Sequence, residues 1–371
     1  MVQSVRMTEP DVAGRLARLR PRMADVGCGA LLVTHLVNVR YLTGFTGSAG
    51  LLLVLPDDVV LTTDGRYRAQ AAEQLAAAGV DARVEVRPTV GGQHALLTAA
   101  AGGVARVGLE ADAVTWAQQR RFASDVFADA ELVPTEGLVE ELRRVKDAGE
   151  IDRIAEAARI ADDALAGVRP LLGSGVTERE VALGLDYEMR RLGADGSSFE
   201  TIVASGPNGA KPHARPTDRR IGPGELVVID FGAVVDGYCS DMTRTLCVGE
   251  PSEDVALRMA AVVKESQREG VAAVKAGVRG RDVDETCRAV IADAGWGEAF
   301  IHGTGHGVGL EIHEAPRVAS TSDDVLVAGH VVTVEPGVYL AEHGGVRIED
   351  TVVVTDDGCI VLTNAPKELL V

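Results

Sequence analysis

The chain repeats itself over its second half. "GSGVTEREVALGL", beginning at Gly173, is echoed by "KAGVRGRDVDETC" from Lys275, "GELVVIDFG" by "GHVVTVEPG", and "SDMTRTLCV" by "IEDTVVVT". Each copy reads as two helices followed by two strands. The copies keep their order, with spacings of 102, 105 and 108 residues measured at Val181 and Val283, Asp230 and Glu335, and Asp241 and Glu349. A duplicated helix–helix–strand–strand unit predicts a pseudo-symmetric α+β domain, with room for a site where its halves meet.

The preceding residues have a different grammar. The first 23 residues alternate charged and apolar positions like an amphipathic helix and lack the apolar core of a signal peptide. "GALLVTH" is a short strand, "GLLLVLPDDVVLTTDG" a hairpin about Pro56-Asp57-Asp58, and "RYRAQAAEQLAAAG" a helix ending at Gly79. "RVEVRP", "RVGLEAD" and "AELVPTEG" add strands, giving an α/β domain. One long charged helix, "ELRRVKDAGEIDRIAEAARIADDALAGV", follows and carries the boundary near Lys146. The expected division is an N-terminal domain over 1–140 and a C-terminal domain over 141–371.

Every matched strand position in the repeat holds an acid. Asp230 closes "LVVID", Glu335 closes "VVTVE", Glu349 sits in "VRIEDTVVV", and Asp241 follows a turn at Val235-Asp236-Gly237. With that hairpin centred between Val235 and Asp236, Asp230 and Asp241 face each other across the ladder. Opposed like charges destabilise a strand pair, and buried unpaired carboxylates cost more. Arg244 and Arg347 are too few to neutralise four acids, whereas two divalent cations balance them. Singly, each acid fits a turn or a strand edge. Four at matched positions read as ligands for a hard metal such as manganese, cobalt, zinc or iron.

"FIHGTGHGVGLEIHEAPR" places His302, His306 and His313 among Gly303, Gly305, Gly307 and Gly309. The four-residue spacing of His302 and His306 resembles a zinc-helix pair, but the glycines deny the helix that pairing needs. "GTGHGVG" is no dinucleotide loop either, because "LEIHEAPR" reads as strand then turn. Imidazoles beside a carboxylate site serve as proton carriers and donors. His213, in the Gly/Pro-rich "NGAKPHARP", can reach the same place; His35, His94, His330 and His343 are given no role.

The net charge of −18 argues against nucleic acid or an anionic membrane as partner. Five scattered cysteines without C-x-x-C spacing suit a reducing cytoplasm and offer no thiolate metal site.

Together, "VIDFGAVVDGYCSDMTRT", "GTGHGVGLEIHE", "TVEPGVY" and "GGVRIEDT" resemble the metal motifs of the methionine aminopeptidase, aminopeptidase P and prolidase superfamily. "YLTGFTGSAG" and "TTDGRYRAQA" are similar to the N-terminal domain of its aminopeptidase P and prolidase branch. The resemblance implies a creatinase/prolidase-like α/β N-terminal domain ahead of a pseudo-symmetric α+β pita-bread catalytic domain. It implies Asp230, Asp241, His306, Glu335 and Glu349 as ligands of two divalent ions, manganese before cobalt or zinc. Glu335 is then also the general acid/base, with His302 and His313 flanking the scissile bond and His213 touching substrate. Arg347 is expected to orient substrate or a ligand, or else to pair with a nearby acid. Arg317 resembles an arginine that meets a dipeptide's carboxylate in short prolidases, and Tyr339 lines the pocket or merely packs. A homodimer is the common family state.

The N-terminal half resembles aminopeptidase P, which removes the first residue before proline from short peptides, and this is the leading expectation. The compact "HEAPR" loop resembles dipeptide-only prolidases, the alternative. A metal-free creatinase-like hydrolase and a non-enzymatic binding module rank lower because the ligand set is complete; methionine aminopeptidase ranks lower because it lacks the first domain.

Overall fold

The computed structural model describes residues 7–370. It comprises two compact units, one of Pro10–Arg143 and one running from Arg144 that also includes residues 7–9.

The N-terminal unit is built on a mixed sheet of β1 (Ala30–Val33), β2 (Leu51–Val54), β3 (Val59–Thr63), β4 (Arg83–Val86), β5 (Arg106–Glu110) and β6 (Glu131–Thr135). Their order is β4-β3-β2-β1-β5-β6, with β1–β2 and β2–β3 antiparallel and the other pairs parallel. The apolar runs explain the layering: Leu32, Leu53, Val60 and Val107 bury one sheet face against Leu97 and Phe122. The first helix, Arg15–Asp25, buries Leu16, Leu19 and Met23, the spacing of one helical face.

The single long helix expected across the boundary is in fact two. Glu140–Arg143 ends, and Ala148–Val168 begins afresh behind Asp147, whose side chain and that of Glu150 form a reciprocal capping box. Such a D-x-x-E pair satisfies orphan N–H groups at a helix start, which a continuous helix would not need. Between the two, Val145 bridges to His330 and Lys146 N donates to the Gly329 carbonyl at 2.9 Å.

The second unit carries the duplication. Helices Ala148–Val168 and Glu178–Arg191 lie against β8 (Ile202–Ser205), β9 (Leu226–Phe231) and β12 (Met242–Cys247), ordered β12-β9-β8. A short sheet of β7 (Gly196–Ser197), β10 (Ala233–Val235) and β11 (Tyr238–Cys239) continues it. Ile160, Leu165, Val181, Leu185, Ile229, Phe231 and Met242 form this half's core. In the second half, helices Asp254–Ala273 and Gly280–Asp293 cover β13 (Gly305–Gly307), β14 (Glu314–Val318), β15 (Val331–Val334), β18 (Asp350–Val354) and β19 (Cys359–Val361), with a hairpin of β16 (Gly337–Leu340) and β17 (Gly344–Arg347) inserted. Met259, Val263, Val283, Ile291, Val332, Val334 and Val352 form its core. Its helices cross closely at Gly270, where a Cβ would stand 2.3 Å from Cys287 Sγ.

The halves are joined beside β12 and β18 chiefly by side chains, with one backbone bond from Glu349 N to the Thr243 carbonyl at 3.1 Å. Thr243 Oγ1 donates to Glu349 Oε2 at 2.7 Å, and Thr351 Oγ1 donates to the Asp241 carbonyl at 2.8 Å. The four residues correspond under the repeat, Thr243 to Thr351 and Asp241 to Glu349, although one threonine meets a carboxylate and the other a backbone carbonyl. Beside them, Arg244 donates to Asp350 Oδ1 at 2.9 Å with both side chains almost fully buried. Asp350 also accepts from Gln267, Lys367 and Thr363.

Two local readings need correction. Asp230 faces Thr243 across β9 and β12, not Asp241. The turn residues are Asp236 and Gly237, both with positive φ (45° and 73°), so Val235 pairs with Tyr238 and the hairpin centre sits one residue later than expected. Asp241 stands two residues before Thr243, diagonal to Asp230. "LEIHEAPR" is turn then strand, because residues 309–313 coil before β14 begins at Glu314. Among the described residues, no helix is long and apolar enough to cross a membrane.

The buried Arg244–Asp350 pair yields the first prediction. Asp350→Ala leaves a buried guanidinium without its counter-charge, which costs about 3–5 kcal/mol. The expected outcome is a markedly lower urea midpoint; an unchanged midpoint would show that the pair adds nothing at the seam.

Candidate metal centre

The seam gathers the acids. Asp241, His306 and Glu349 bring ligand atoms within 4.8 Å of one another. His306 Nε2 also lies 3.6 Å from Asp241 Oδ2 and 3.4 Å from Glu335 Oε1. Asp230 sits at the end of β9, where Arg347 Nη2 donates to its Oδ2 at 2.6 Å. All five expected ligands thus belong to one neighbourhood, drawn from β9, β13 and the residues just before β12, after β15 and before β18.

Local structure aims them. Gly305 allows β13 to press on β15, since a Cβ there would lie 2.0 Å from the Thr333 carbonyl oxygen. That approach brings Thr333 into play: His306 N donates to Thr333 Oγ1 at 3.1 Å, and Thr333 Oγ1 donates to Glu335 Oε1 at 3.2 Å. His306 Nδ1 faces the Gly307 carbonyl at 3.0 Å, so Nδ1 carries the proton and Nε2 presents a lone pair to the acids. Burial pushes the His306 pKa down to about 4, so the ring is neutral near pH 7.

The electrostatics of this cluster favour a cation. Burial, followed by the neighbouring Glu349 and Asp230 charges, raises the pKa of Asp241 well above the carboxylate range. Burial first, then Glu335 and Asp230, does the same for Glu349. Glu335 is pushed up to about 8, again chiefly by burial. Among the described residues, Asp230 Oδ1 and Glu349 Oε1 are buried with no hydrogen-bond partner. Four carboxylates, an imidazole lone pair pointing at them and two orphaned oxygens are a donor set that fits divalent metal.

The remaining expected residues form a rim. Tyr339 OH, held by Arg347 Nη1 at 2.7 Å, meets His302 Nε2 at 2.8 Å, and His302 Nδ1 faces the Gly303 carbonyl at 2.8 Å. His302 therefore carries its proton on Nδ1 and accepts from Tyr339, with burial lowering its pKa to about 4. Arg347 reaches Asp230, Tyr339, Thr243 and the Pro212 carbonyl at once, so it pairs with an acid and braces the pocket. The His313 ring packs edge-on against His306 with centroids 4.4 Å apart, and burial lowers its pKa. Exposed Arg317 pairs with His306 across β13 and β14. His213 is also exposed, and its charge acts on both His302 and His313.

Sequence reading missed the residues that hold this rim. Asp284, fully buried, accepts from Thr304 N and Oγ1, and Arg288 ties Asp284 to the Phe300 and His302 carbonyls. An acid and a base spaced i,i+4 on a helix have the pattern of a solvated pair, so nothing in the sequence marks Asp284 as buried. Glu178, also fully buried, gathers Ser205, Asn208 and Thr217 and so shapes the loop that carries His213.

Residues 152–356 match the model of metallopeptidase family M24, and residues 15–145 match the creatinase/prolidase N-terminal domain. The chain belongs to metallopeptidase family M24. Three solved structures resemble this M24 chain over nearly its whole length. An Xaa-Pro dipeptidase from Bacillus anthracis is 41% identical with a TM-score of 0.91, covering 97% of this chain and 100% of that one. An X-Pro aminopeptidase from Thermotoga maritima is 36% identical with a TM-score of 0.86, covering 94% and 100%. A prolidase from Pyrococcus furiosus is 34% identical with a TM-score of 0.86, covering 93% and 99%. The pita-bread family and the two-part architecture read from the motifs are thereby borne out.

The raised carboxyl pKa values predict how metal-free protein responds to pH. Buried Glu335, Asp241 and Glu349 keep protons that the unfolded chain has already released, so stability falls as pH rises. Neutral His302 and His306 act in the opposite sense, but only below an ordinary histidine pKa of about 6.5. The thermal midpoint of chelated protein should therefore drop between pH 6.5 and 8. With divalent metal added the slope should reverse, because binding needs the ionised acids. A midpoint of chelated protein that rises over this range would contradict the account.

Proposed function

We propose that this M24 peptidase is an Xaa-Pro dipeptidase, the alternative in the sequence reading rather than its leading expectation of an aminopeptidase for longer peptides. The observation that carries it is the end-to-end likeness to a Xaa-Pro dipeptidase, in sequence and in backbone, above that to the X-Pro aminopeptidase. Arg317 supports it: an exposed cation on β14, four residues beyond His313, suits the free carboxylate that a dipeptide places one residue from the scissile bond.

In this proposal Asp230, Asp241, His306, Glu335 and Glu349 hold two divalent ions, with manganese the first choice ahead of cobalt and zinc. Bound there, the ions supply Lewis-acid polarisation and a nucleophile from water at neutral pH. The protein's own groups do the rest. Glu335, with its high proton affinity and its Thr333 hydrogen bond, takes a proton and returns it to the leaving proline nitrogen. His313 and His213 face the substrate as hydrogen-bond donors, and Arg317 orients its carboxylate. His302, engaged by Tyr339, acts on the pocket wall, which Arg347 fastens to Asp230. A homodimer in the cytoplasm belongs to the same proposal, and light scattering measures the first of these.

The test is hydrolysis of Ala-Pro and Ala-Pro-Ala side by side, with manganese-loaded and chelator-treated protein. Metal-dependent cleavage of the dipeptide alone is the expected result; comparable cleavage of the tripeptide would restore the aminopeptidase reading. Arg317→Ala should raise KM for Ala-Pro by about 10–100-fold with a smaller change in kcat, since a charge-assisted hydrogen bond is worth roughly 1.5–3 kcal/mol. Equal losses in kcat and KM terms would place Arg317 elsewhere. Glu335→Gln should lower kcat by about 10²–10⁴-fold.

A further inference from the structure

β14 is held at both ends by residues to which the reaction assigns no part. At its start, Lys146 Nζ donates to Glu314 Oε2 at 3.0 Å, with side chains only 1% and 6% exposed. Glu314 Oε1 accepts from Glu311 N at 3.0 Å, and the same carboxylate lies against Gly309, where a Cβ would stand 2.6 Å from Oε2. The pair thus closes residues 309–314 into the loop that carries His313. At its other end, Asp324 accepts from Arg317 N at 2.9 Å through Oδ2 and from Arg144 Nη2 at 2.7 Å through Oδ1. Arg144 and Lys146 flank Val145, whose bridge to His330 fixes the segment to the start of β15.

A buried lysine–glutamate pair is a poor device for stability alone, because apolar residues of similar volume often do as well or better. It is a good device for direction: a charge-assisted hydrogen bond fixes both partners, and here one partner is adjacent to His313. We propose that Lys146 is a positioning residue that acts through Glu314 to hold His313 at the site. This rests on the reading of His313 as a substrate contact.

The variants are Lys146→Met, Glu314→Gln, the two combined, and Lys146→Arg. Either neutralising change alone strands a buried charge and lowers the thermal midpoint. The double variant removes both charges and should recover that midpoint. Its kcat/KM for Ala-Pro should nevertheless stay down by about tenfold or more, because small displacements at a reacting centre are costly. Its bound manganese should match wild type, and the imidazole 15N resonances of His313 in metal-free protein should shift. Lys146→Arg, which keeps the charge, should recover part of the activity. Recovery of midpoint and kcat/KM together in the double variant would overturn the proposal and leave the pair a structural one. If wild-type protein cleaves no Ala-Pro, the substrate reading fails, and the His313 resonances alone decide: unshifted in the double variant overturns, shifted supports.

Discussion

The structure turns on bringing like charges together at a buried seam. Asp241 and Glu349 are nearly inaccessible to water, with Glu335 and Asp230 beside them. No folded chain gains from that arrangement by itself, since desolvation and mutual repulsion both oppose it. The surroundings show how it is tolerated. Arg347 neutralises one acid, Thr243 and Thr333 donate to two others, and burial favours the protonated carboxyl where no partner is present. The duplicated halves provide the rigidity, because helices packed on each sheet fix strands whose ends then meet at the acids and at the Arg244–Asp350 pair beside them. A divalent cation at this point relieves the repulsion that the fold has concentrated.

Around the acids, hydrogen bonds set tautomers rather than merely filling space. The Gly307 carbonyl fixes His306 with its lone pair inward, and the Gly303 carbonyl fixes His302 with its lone pair toward Tyr339. Two histidines four residues apart are thereby given different work by the carbonyl each one meets. The glycines matter for the same reason. Gly305 and Gly307 let β13 come close to β15 and β14, which brings Thr333 Oγ1 to His306 N. Any side chain at either position would push His306 off the cluster.

Much of this was legible before any coordinates, and the reasons are physical. The repeat was visible because buried strands and capped helices constrain residue types strongly, and the matched acids stood out against apolar runs. The clustering of the four acids followed from those positions, whereas His306 was added by the family resemblance. Register did not. One residue of error at the Asp236-Gly237 turn put Asp241 opposite Asp230, because turn geometry, not hydrophobic pattern, sets the centre of a hairpin. The break between Arg143 and Ala148 was hidden in helix-forming residues and betrayed only by the Asp147–Glu150 cap. Asp284, Arg288 and Glu178 escaped because a buried brace and a solvated charge look alike in sequence; only the fold reveals which acid has lost its water.

The claim on which the rest depends is that the five residues at the seam hold two ions. The most direct measurement is manganese bound per chain after chelation, reconstitution and exhaustive dialysis, with Asp241→Asn alongside. Two equivalents in the wild type and a clear loss in the variant are the predicted result. A wild-type chain that retains no manganese, cobalt or zinc, or a variant that binds as wild type does, would contradict it.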